Sequence, residues 1–350
     1  ASAELFATAS IALLDSLNCV DYLCFGCETD SIDLLNTVAE ILINEPKEYK
    51  DLLTINLKTG ISFPKARAKA LDEYFKKYNL DYSLDINSNK YAKYPSDITS
   101  NSNLDINTFI NQPNNILGIE YIKALMRFNS KINPVPLKRL GAGYHSLDTR
   151  TKLASATGIR TAMANKDNIS GLLPDNCLNI IKNHTTIEYN DFSTVLGSKL
   201  LSMDTLDHIE GINQDLSNRI ANNKYNFTDI ETFIPMLQSK NYTYSAISRA
   251  LLHIILDIKT DDIKEFISNN YVNYAMILGF NKNTGILSEI NKYTKIPLVS
   301  KFATFYKEAD NNQRKMLDIN LKADNLYRMI YMNKTSETLP TEFQRQIIIK

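Results

Sequence analysis

Small and acidic residues follow an apolar run near the start of the chain. Residues 20–25 predict a buried strand that ends at Gly26, and Glu28 comes two residues later. Ligands of open α/β sheets bind beyond the carboxyl ends of the strands, where glycine lets a ligand approach the backbone. The Glu28 carboxylate has the chemistry to accept from a ribose hydroxyl or to hold a metal ion. A plain turn from strand to loop explains the same residues, and both interpretations stay open.

Amide and cationic side chains mark two further places. Asn114 and Asn115 follow Pro113 just before a predicted helix, where capping accounts for one of the two amides. Two adjacent amides also suit a purine edge or a ribose. Lys138 and Arg139 end a second predicted strand, at the sheet edge where their charges suit phosphates. A solvated pair of charges is the alternative there.

Hydroxyl groups and an arginine open another predicted helix. Ser155 and Thr157 stand at its start, and Arg160 follows one turn later. Hydroxyls, free backbone N–H groups and a guanidinium together form an anion site. An ordinary capped helix accounts for the same pattern equally well.

Cysteine and histidine residues give no clear metal or catalytic pattern. Cys24 and Cys27 match C-x-x-C, but the chain has no second such pair, and a zinc site needs about four ligands. We interpret these thiols as buried or incidental. His145 follows a glycine-rich turn without partners at ligand spacing, and Walker, H-E-x-x-H and G-x-G-x-x-G motifs are absent from the sequence. We predict no protein-held metal.

The elements that carry these residues change character along the chain. Strand and helix patterns alternate over residues 1–167, which predicts a parallel α/β domain. Residues 83–108 are rich in Asn and Ser without periodicity and predict a flexible loop. Helical periods dominate residues 168–350, which predicts a mainly helical second domain. There, Lys240, Arg249 and neighbouring tyrosines suit RNA phosphates and bases, although a solvated helix start also explains them.

Composition sets the outer limits. The 350 residues carry 39 Lys+Arg and 39 Asp+Glu, so indiscriminate binding of nucleic acid by net charge is excluded. No run of 18 apolar residues occurs, and we expect no membrane association. Four cysteines without a disulfide framework favour a cytoplasmic protein. The chain starts with a helical pattern rather than Met, so we expect that it begins inside a domain.

Taken together, the motifs resemble the bacterial tRNA(Met) cytidine acetate ligase family over nearly the whole chain. The stretches that carry the resemblance are Phe25-Gly26-Cys27-Glu28, Gly60-x-Ser62-Phe63-Pro64-x-Ala66-Arg67, Pro113-Asn114-Asn115-Ile116-Leu117-Gly118-x-Glu120-Tyr121, Lys138-Arg139-Leu140-x-x-x-Tyr144-His145, Ser155-Ala156-Thr157-x-Ile159-Arg160, Glu210-Gly211-x-x-x-x-Leu216-x-Asn218-Arg219-Ile220, Tyr242-Thr243 with Arg249, and Ile296-Pro297-Leu298-Val299-Ser300-Lys301.

The resemblance implies a Rossmann-like, HUP-type nucleotidyltransferase sheet followed by a helical tRNA-binding domain. It implies an enzyme that uses ATP, with Mg²⁺, to convert acetate into acetyl-adenylate. The acetyl group then goes to the wobble cytidine of elongator tRNA(Met), giving N4-acetylcytidine. Oligomeric state and the selection of this tRNA are left open.

Site residues carry over by position. Gly26, Asn114, Arg139 and Leu140 correspond to ATP-contacting positions, and Ser155, Thr157 and Arg160 match a helix start that related enzymes use on phosphates. Candidate tRNA contacts are Lys65, Arg67, Lys240 and Arg249.

One departure concerns the expected catalytic residues. The family begins with a strand and a His-x-Gly-His-type loop that binds the triphosphate, and no such motif occurs in these 350 residues. We therefore expect a chain that lacks the first β-α-β unit and has little ATP turnover by itself. Two alternatives remain: another nucleotidyltransferase of the same fold, or a non-catalytic RNA-binding protein.

Overall fold

A computed structural model describes residues 2–78, 106–139 and 154–350. The chain divides into two compact units. The N-terminal unit comprises Ala3–Ile11 and Val20–Asn168, and the C-terminal unit comprises Ala1–Ser2, Ala12–Cys19 and Ile169–Lys350. The predicted domains, 1–167 and 168–350, stay a proposal.

The first helix contributes residues to both units. Helix α1 spans Ala3–Leu17, and its second half belongs to the C-terminal unit. The reason lies in hydrogen bonds at its end, where the Ser16 carbonyl accepts from the Lys295 N–H at 2.8 Å and from the Thr294 hydroxyl at 3.2 Å. The predicted domain boundary did not include this sharing of α1 between the units, because sequence patterns carry no information on partners so distant along the chain.

The N-terminal unit is built from two parallel strands and the helices around them. After α1, its elements are β1 Tyr22–Cys27, α2 Ile32–Asn44, α3 Lys47–Lys58, α4 Phe63–Lys77, α5 Ile106–Asn111, α6 Pro113–Arg127, β2 Asn133–Lys138 and α7 Ala156–Ala164.

The observed strand ends differ from the predicted ones. Strand β1 runs on to Cys27, so Gly26 lies inside the strand and not after it. Its register pairs Gly26 with Leu137 and Cys27 with Lys138. The ladder continues one step further, because the Arg139 N–H donates to the Cys27 carbonyl at 2.8 Å. Pairing between strands, rather than the apolar run, sets where each strand ends.

Apolar residues of the helices and of the sheet form one core. Phe25 of β1 belongs to the same buried cluster as Leu35 and Val38 of α2 and Ile122 of α6. Ser31 caps α2, since its Oγ accepts from the Leu34 N–H at 3.3 Å. These contacts hold the amino end of α6 beside the carboxyl end of β1.

The predicted loop at 83–108 is wrong at its end. Helix α5 already begins at Ile106, and Ile106, Phe109 and Ile110 are buried in the core. Three apolar side chains buried on one short helix outweigh the polar composition that precedes them. The rest of that prediction falls outside the described residues.

The C-terminal unit is mainly helical. Its helices after α1 are α8 Asp175–Asn183, α9 Ser193–Ser202, α10 Gln214–Asn223, α11 Ile230–Leu237, α12 Tyr244–Leu256, α13 Thr260–Ser268, α14 Ile286–Tyr293, α15 Phe302–Glu308 and α16 Asn311–Thr335, with 3₁₀ helices at Tyr189–Phe192, Lys224–Asn226 and Lys282–Thr284. Short strands β3 Ala275–Met276 and β4 Gly279–Phe280 pair in parallel with β5 Leu298–Val299 and β6 Ile348–Ile349, respectively. Among the described residues, no helix combines the length and hydropathy that crossing a membrane requires.

Candidate functional site

The Glu28 side chain ties the carboxyl end of β1 to the start of α6. Its Oε2 accepts from the Asn115 N–H at 2.9 Å, and its Oε1 accepts from the Asn114 Nδ2 at 2.6 Å. Gln112, at the N-cap position of α6, makes no capping bond with its own side chain. A carboxylate from a neighbouring loop therefore satisfies the free N–H groups at the helix start, where negative charge is also favoured.

The Asn115 side chain in turn binds the backbone of the loop after β1. This residue is completely buried, and its Oδ1 accepts from the N–H groups of Glu28 at 2.9 Å and Thr29 at 3.1 Å. Its Nδ2 donates to the Phe109 carbonyl at 3.1 Å and to the Gln112 Oε1 at 2.7 Å. A buried amide with all these partners holds the loop after β1 against α6.

These bonds change the interpretation of the two adjacent amides and of Glu28. Asn114 and Asn115 lie in the first turn of α6, not before it, because Pro113 starts the helix. Asn115 faces the protein and has a structural task, so only Asn114 remains to meet a purine or ribose. The Glu28 carboxylate is engaged by the helix start and is not displayed as a free metal ligand.

Three residues that the resemblance assigns to ATP lie together at this strand end. The Arg139 Nη1 donates to the Asn114 Oδ1 at 3.4 Å, and the Arg139 side chain is exposed. A methyl group at Gly26 would lie 3.4 Å from the Arg139 Cγ, an ordinary van der Waals distance, so the arginine stem lies beside Gly26. Leu140, the fourth predicted position, lies outside the described residues.

The second predicted phosphate segment has local contacts. The Ser155 Oγ accepts from the Gly158 N–H at 2.9 Å, so the predicted capping of α7 is confirmed. The Arg160 Nη2 donates to the Thr157 Oγ1 at 3.5 Å. Their assignment to phosphate stays a prediction.

The C-x-x-C pair does not form a reactive dithiol. Cys24 is exposed, whereas Cys27 is buried and its thiol donates to the Leu137 carbonyl at 3.6 Å. Burial, with the charges of Asp30 and Glu28, raises the pKa of the Cys27 thiol to about 12. Cys27 therefore remains protonated at neutral pH. In the part of the chain that the structure describes, no group of three or more His, Cys, Asp or Glu residues is arranged to hold a metal ion.

The four candidate tRNA residues divide between the two units. Lys65 is exposed in the first turn of α4. Arg67, further along α4, is half-buried, and its Nε has no hydrogen-bond partner among the residues described. In the C-terminal unit, Lys240 is exposed before α12 and Arg249 is half-buried on that helix. Their role in binding tRNA stays a prediction.

Sequence reasoning missed the partnership of Glu28 with Asn115. Only the residue types gave a signal, namely an acid after a strand and paired amides after a proline. It also missed a buried ion pair on α6, in which the Lys123 Nζ lies 2.8 Å from the Glu120 carboxylate. Both side chains are less than a tenth exposed. Their spacing of three residues on one helix is visible in the sequence, but their burial is not.

Comparison with known proteins agrees with this architecture. The profile of the HIGH Nucleotidyl Transferase family matches residues 1–342. The tRNA(Met) cytidine acetate ligase of Halothermothrix orenii is 32% identical over 345 residues, covering 94% of this chain and 77% of the relative. That of Caldanaerobacter subterraneus is 33% identical over 340 residues, covering 95% of this chain and 77% of the relative.

Solved structures give the same result for the fold. TmcAL from Thermotoga maritima bound with alpha-thio ATP superposes with a TM-score of 0.82 at 25% identity, covering 99% of this chain and 80% of that chain. Its apo form gives a TM-score of 0.83 at 24% identity, covering 99% and 81%, respectively. The chain therefore belongs to the HIGH nucleotidyl transferase family and, within it, to the tRNA(Met) cytidine acetate ligases.

Proposed function

We propose that this protein uses ATP to activate acetate and then acetylates the wobble cytidine of elongator tRNA(Met), giving N4-acetylcytidine. Membership of the ligase family supports this proposal. Within the molecule, the observation that carries it is the meeting of Gly26, Asn114 and Arg139 at the carboxyl end of β1, the place where α/β sheets bind ligands. The proposed location is the cytoplasm, because the tRNA substrate is found there.

The proposed reaction has two steps. A carboxylate oxygen of acetate attacks the α-phosphorus of ATP, a new P–O bond forms, and pyrophosphate leaves with the electron pair of the broken bond. The N4 amine of cytidine then attacks the acetyl carbonyl. AMP leaves as the C–O bond breaks, and the amine loses a proton to solvent. The acyl phosphate is already a strong electrophile, so the protein mainly positions the reactants and stabilises charge.

Each site residue has a role in this scheme. Arg139 is an exposed cation that binds the phosphates, Asn114 contacts the nucleoside, and Gly26 lets the ligand approach the backbone of β1. Leu140, which lies outside the described residues, is a further proposed ATP contact. Ser155, Thr157 and Arg160 form a second phosphate contact, at the start of α7.

The expected Mg²⁺ does not fit a site made by the described residues. The acid nearest to the strand end, Glu28, already binds the start of α6, and the described residues hold no metal-ligating cluster. Mg²⁺ therefore stays a proposal as a companion of the ATP phosphates. Lys65, Arg67, Lys240 and Arg249 are the proposed tRNA contacts.

The test supplies ATP, labelled acetate and elongator tRNA(Met) to the protein as its gene encodes it. We expect pyrophosphate, AMP and labelled N4-acetylcytidine in equal amounts. A folded protein that binds ATP without transferring acetate would contradict the ligase proposal and favour another nucleotidyltransferase. Binding of tRNA without any binding of ATP would favour the non-catalytic RNA-binding alternative.

The phosphate assignment is tested by Arg139→Ala. Because a charge-assisted hydrogen bond contributes about 1.5–3 kcal/mol, we expect ATP affinity to fall by about 10- to 100-fold. Arg345→Ala is the matched control, since Arg345 pairs with Glu342 in the C-terminal unit and has no predicted role. Unchanged ATP affinity in Arg139→Ala would show that the phosphates lie elsewhere.

A further inference from the structure

The Asn114 amide lies between two groups of opposite character. On one side, the Glu28 Oε1 is 2.6 Å from the Asn114 Nδ2, and an ionised carboxylate can only accept. On the other side, the Arg139 Nη1 is 3.4 Å from the Asn114 Oδ1, and a guanidinium can only donate. The two neighbours therefore determine the orientation of the amide, with Nδ2 toward Glu28 and Oδ1 toward Arg139.

Hydrogen bonds to Asn115 hold both the carboxylate and the backbone N–H of Glu28, which fixes the orientation of the Asn114 amide. Its Oε2 accepts from the Asn115 N–H at 2.9 Å, and its own N–H donates to the Asn115 Oδ1 at 2.9 Å. Because Asn115 is completely buried, its side of these contacts is shielded from water. The carboxylate thus keeps one oxygen on the helix backbone and the other on the Asn114 amide.

We propose that Glu28 is a positioning residue that makes the site select for a hydrogen-bond donor on the nucleoside. It keeps the Asn114 Oδ1 beside Arg139, where this oxygen accepts from an N–H or O–H group of ATP. The donor is either the exocyclic amine of adenine or a ribose hydroxyl. This inference rests on the proposed function, because it assumes that ATP occupies the site.

Glutamine at position 28 would reverse the arrangement. The Asn115 N–H still needs an acceptor, so the new amide oxygen would face it. The new NH₂ group would then face Asn114, which would turn its own Oδ1 toward residue 28 and its Nδ2 outward. Glu28→Gln thus replaces the displayed acceptor by a donor, with little change in side-chain size.

The test measures binding of ATP and three analogues by calorimetry. Purine riboside triphosphate lacks the 6-amine, and 2′-deoxyATP and 3′-deoxyATP each lack one ribose hydroxyl. We expect the protein to bind one of these about tenfold more weakly than ATP, since one neutral hydrogen bond is lost. Loss with purine riboside triphosphate assigns the adenine amine, and loss with a deoxy analogue assigns that hydroxyl.

Four variants complete the design. Asn114→Ala and Glu28→Gln should bind ATP about tenfold more weakly and no longer distinguish it from that analogue. Glu28→Asp keeps the negative charge but is one methylene shorter, so it should lose the discrimination as well, and it decides the matter if Glu28→Gln does not fold. Glu45→Gln, an exposed acid of the same unit paired with Lys50, should behave as the unchanged protein.

The outcomes separate the proposals. If both Glu28 variants fold and discriminate as well as the unchanged protein, Glu28 only caps α6 and the inference is wrong. If Asn114→Ala keeps full discrimination, its oxygen does not meet the nucleoside, and the inference is equally wrong. A purely structural role would lower the melting temperature while leaving the ratios of affinities unchanged. If the unchanged protein does not bind ATP, the proposed function itself fails.

Discussion

Asn115→Ala should be among the most damaging single changes in the N-terminal unit. The side chain is completely buried and makes four short hydrogen bonds, at 2.9, 3.1, 3.1 and 2.7 Å, to Glu28, Thr29, Phe109 and Gln112. Alanine removes all four and leaves two backbone N–H groups without an acceptor.

The expected loss follows from these contacts. A typical hydrogen bond contributes about 1 kcal/mol net, and a buried group left without a partner costs about 1–3 kcal/mol. Since three of the partners are backbone groups that cannot move away freely, we expect the free energy of unfolding to fall by about 4 kcal/mol. That is a large share of the 5–15 kcal/mol by which domains are usually stable.

Urea denaturation followed by circular dichroism measures the total effect. Hydrogen exchange of the peptide that contains Glu28 and Thr29 measures the local one, with about tenfold faster exchange for each 1.4 kcal/mol lost. Asn111→Ala is the matched control, because the Asn111 amide is exposed and, among the described residues, donates to the nearby Asn107 carbonyl. It should cost less than about 0.5 kcal/mol.

The reasoning is refuted if Asn115→Ala lowers stability by less than about 1 kcal/mol, or if exchange at Glu28 and Thr29 is unchanged. Either result would mean that the loop after β1 is held by other contacts. An equal effect of Asn111→Ala would also contradict it, because burial would then not be the cause.

Three further predictions concern packing, thiol chemistry and pH. Gly118→Ala places a methyl group 2.7 Å from the Phe25 ring, so we expect a loss of about 1–3 kcal/mol in urea denaturation. Iodoacetamide at pH 8 should label the exposed cysteines but not Cys27, as mass spectrometry would report, because burial raises its pKa to about 12. Burial raises the pKa of the Asp262 carboxyl, but the hydrogen bond from Lys315 outweighs it and holds this pKa below its ordinary value of 3.8. This stabilisation is present above that pH and is lost as the pH falls through the lower value. Lys315→Met should therefore be more destabilising at pH 7 than in acid below the lowered pKa of Asp262, measured by thermal melts.

The parallel order of β1 and β2 was predictable because it depends on the alternation of apolar runs and amphipathic helices. The starts of two helices, α2 and α7, have a local basis as well. Ser31 and Ser155 cap the helices that follow them through bonds to residues only three positions away. Such contacts are properties of the local chain.

The site was predictable only in part. Gly26 and Arg139 were expected at neighbouring strand ends, because parallel strands bring their carboxyl ends to one edge of the sheet. The end of β1 was misplaced, because the register with β2 extends it through Gly26 to Cys27. Register is a relation between two segments and leaves no mark in either one alone.

By itself, the sequence determined the class of the protein: its family motifs, its α/β and helical halves, and the residue types offered to a nucleotide. Only the tertiary structure decided what those residues do to one another. It brings Glu28 to Asn114 and Asn115 across 86 and 87 positions of the chain. That contact gives Asn115 a structural task and leaves Asn114 with a fixed acceptor beside Arg139. The physical reason is that hydrogen-bond partners are chosen by distance and direction in space, which the packing of α6 on the sheet sets.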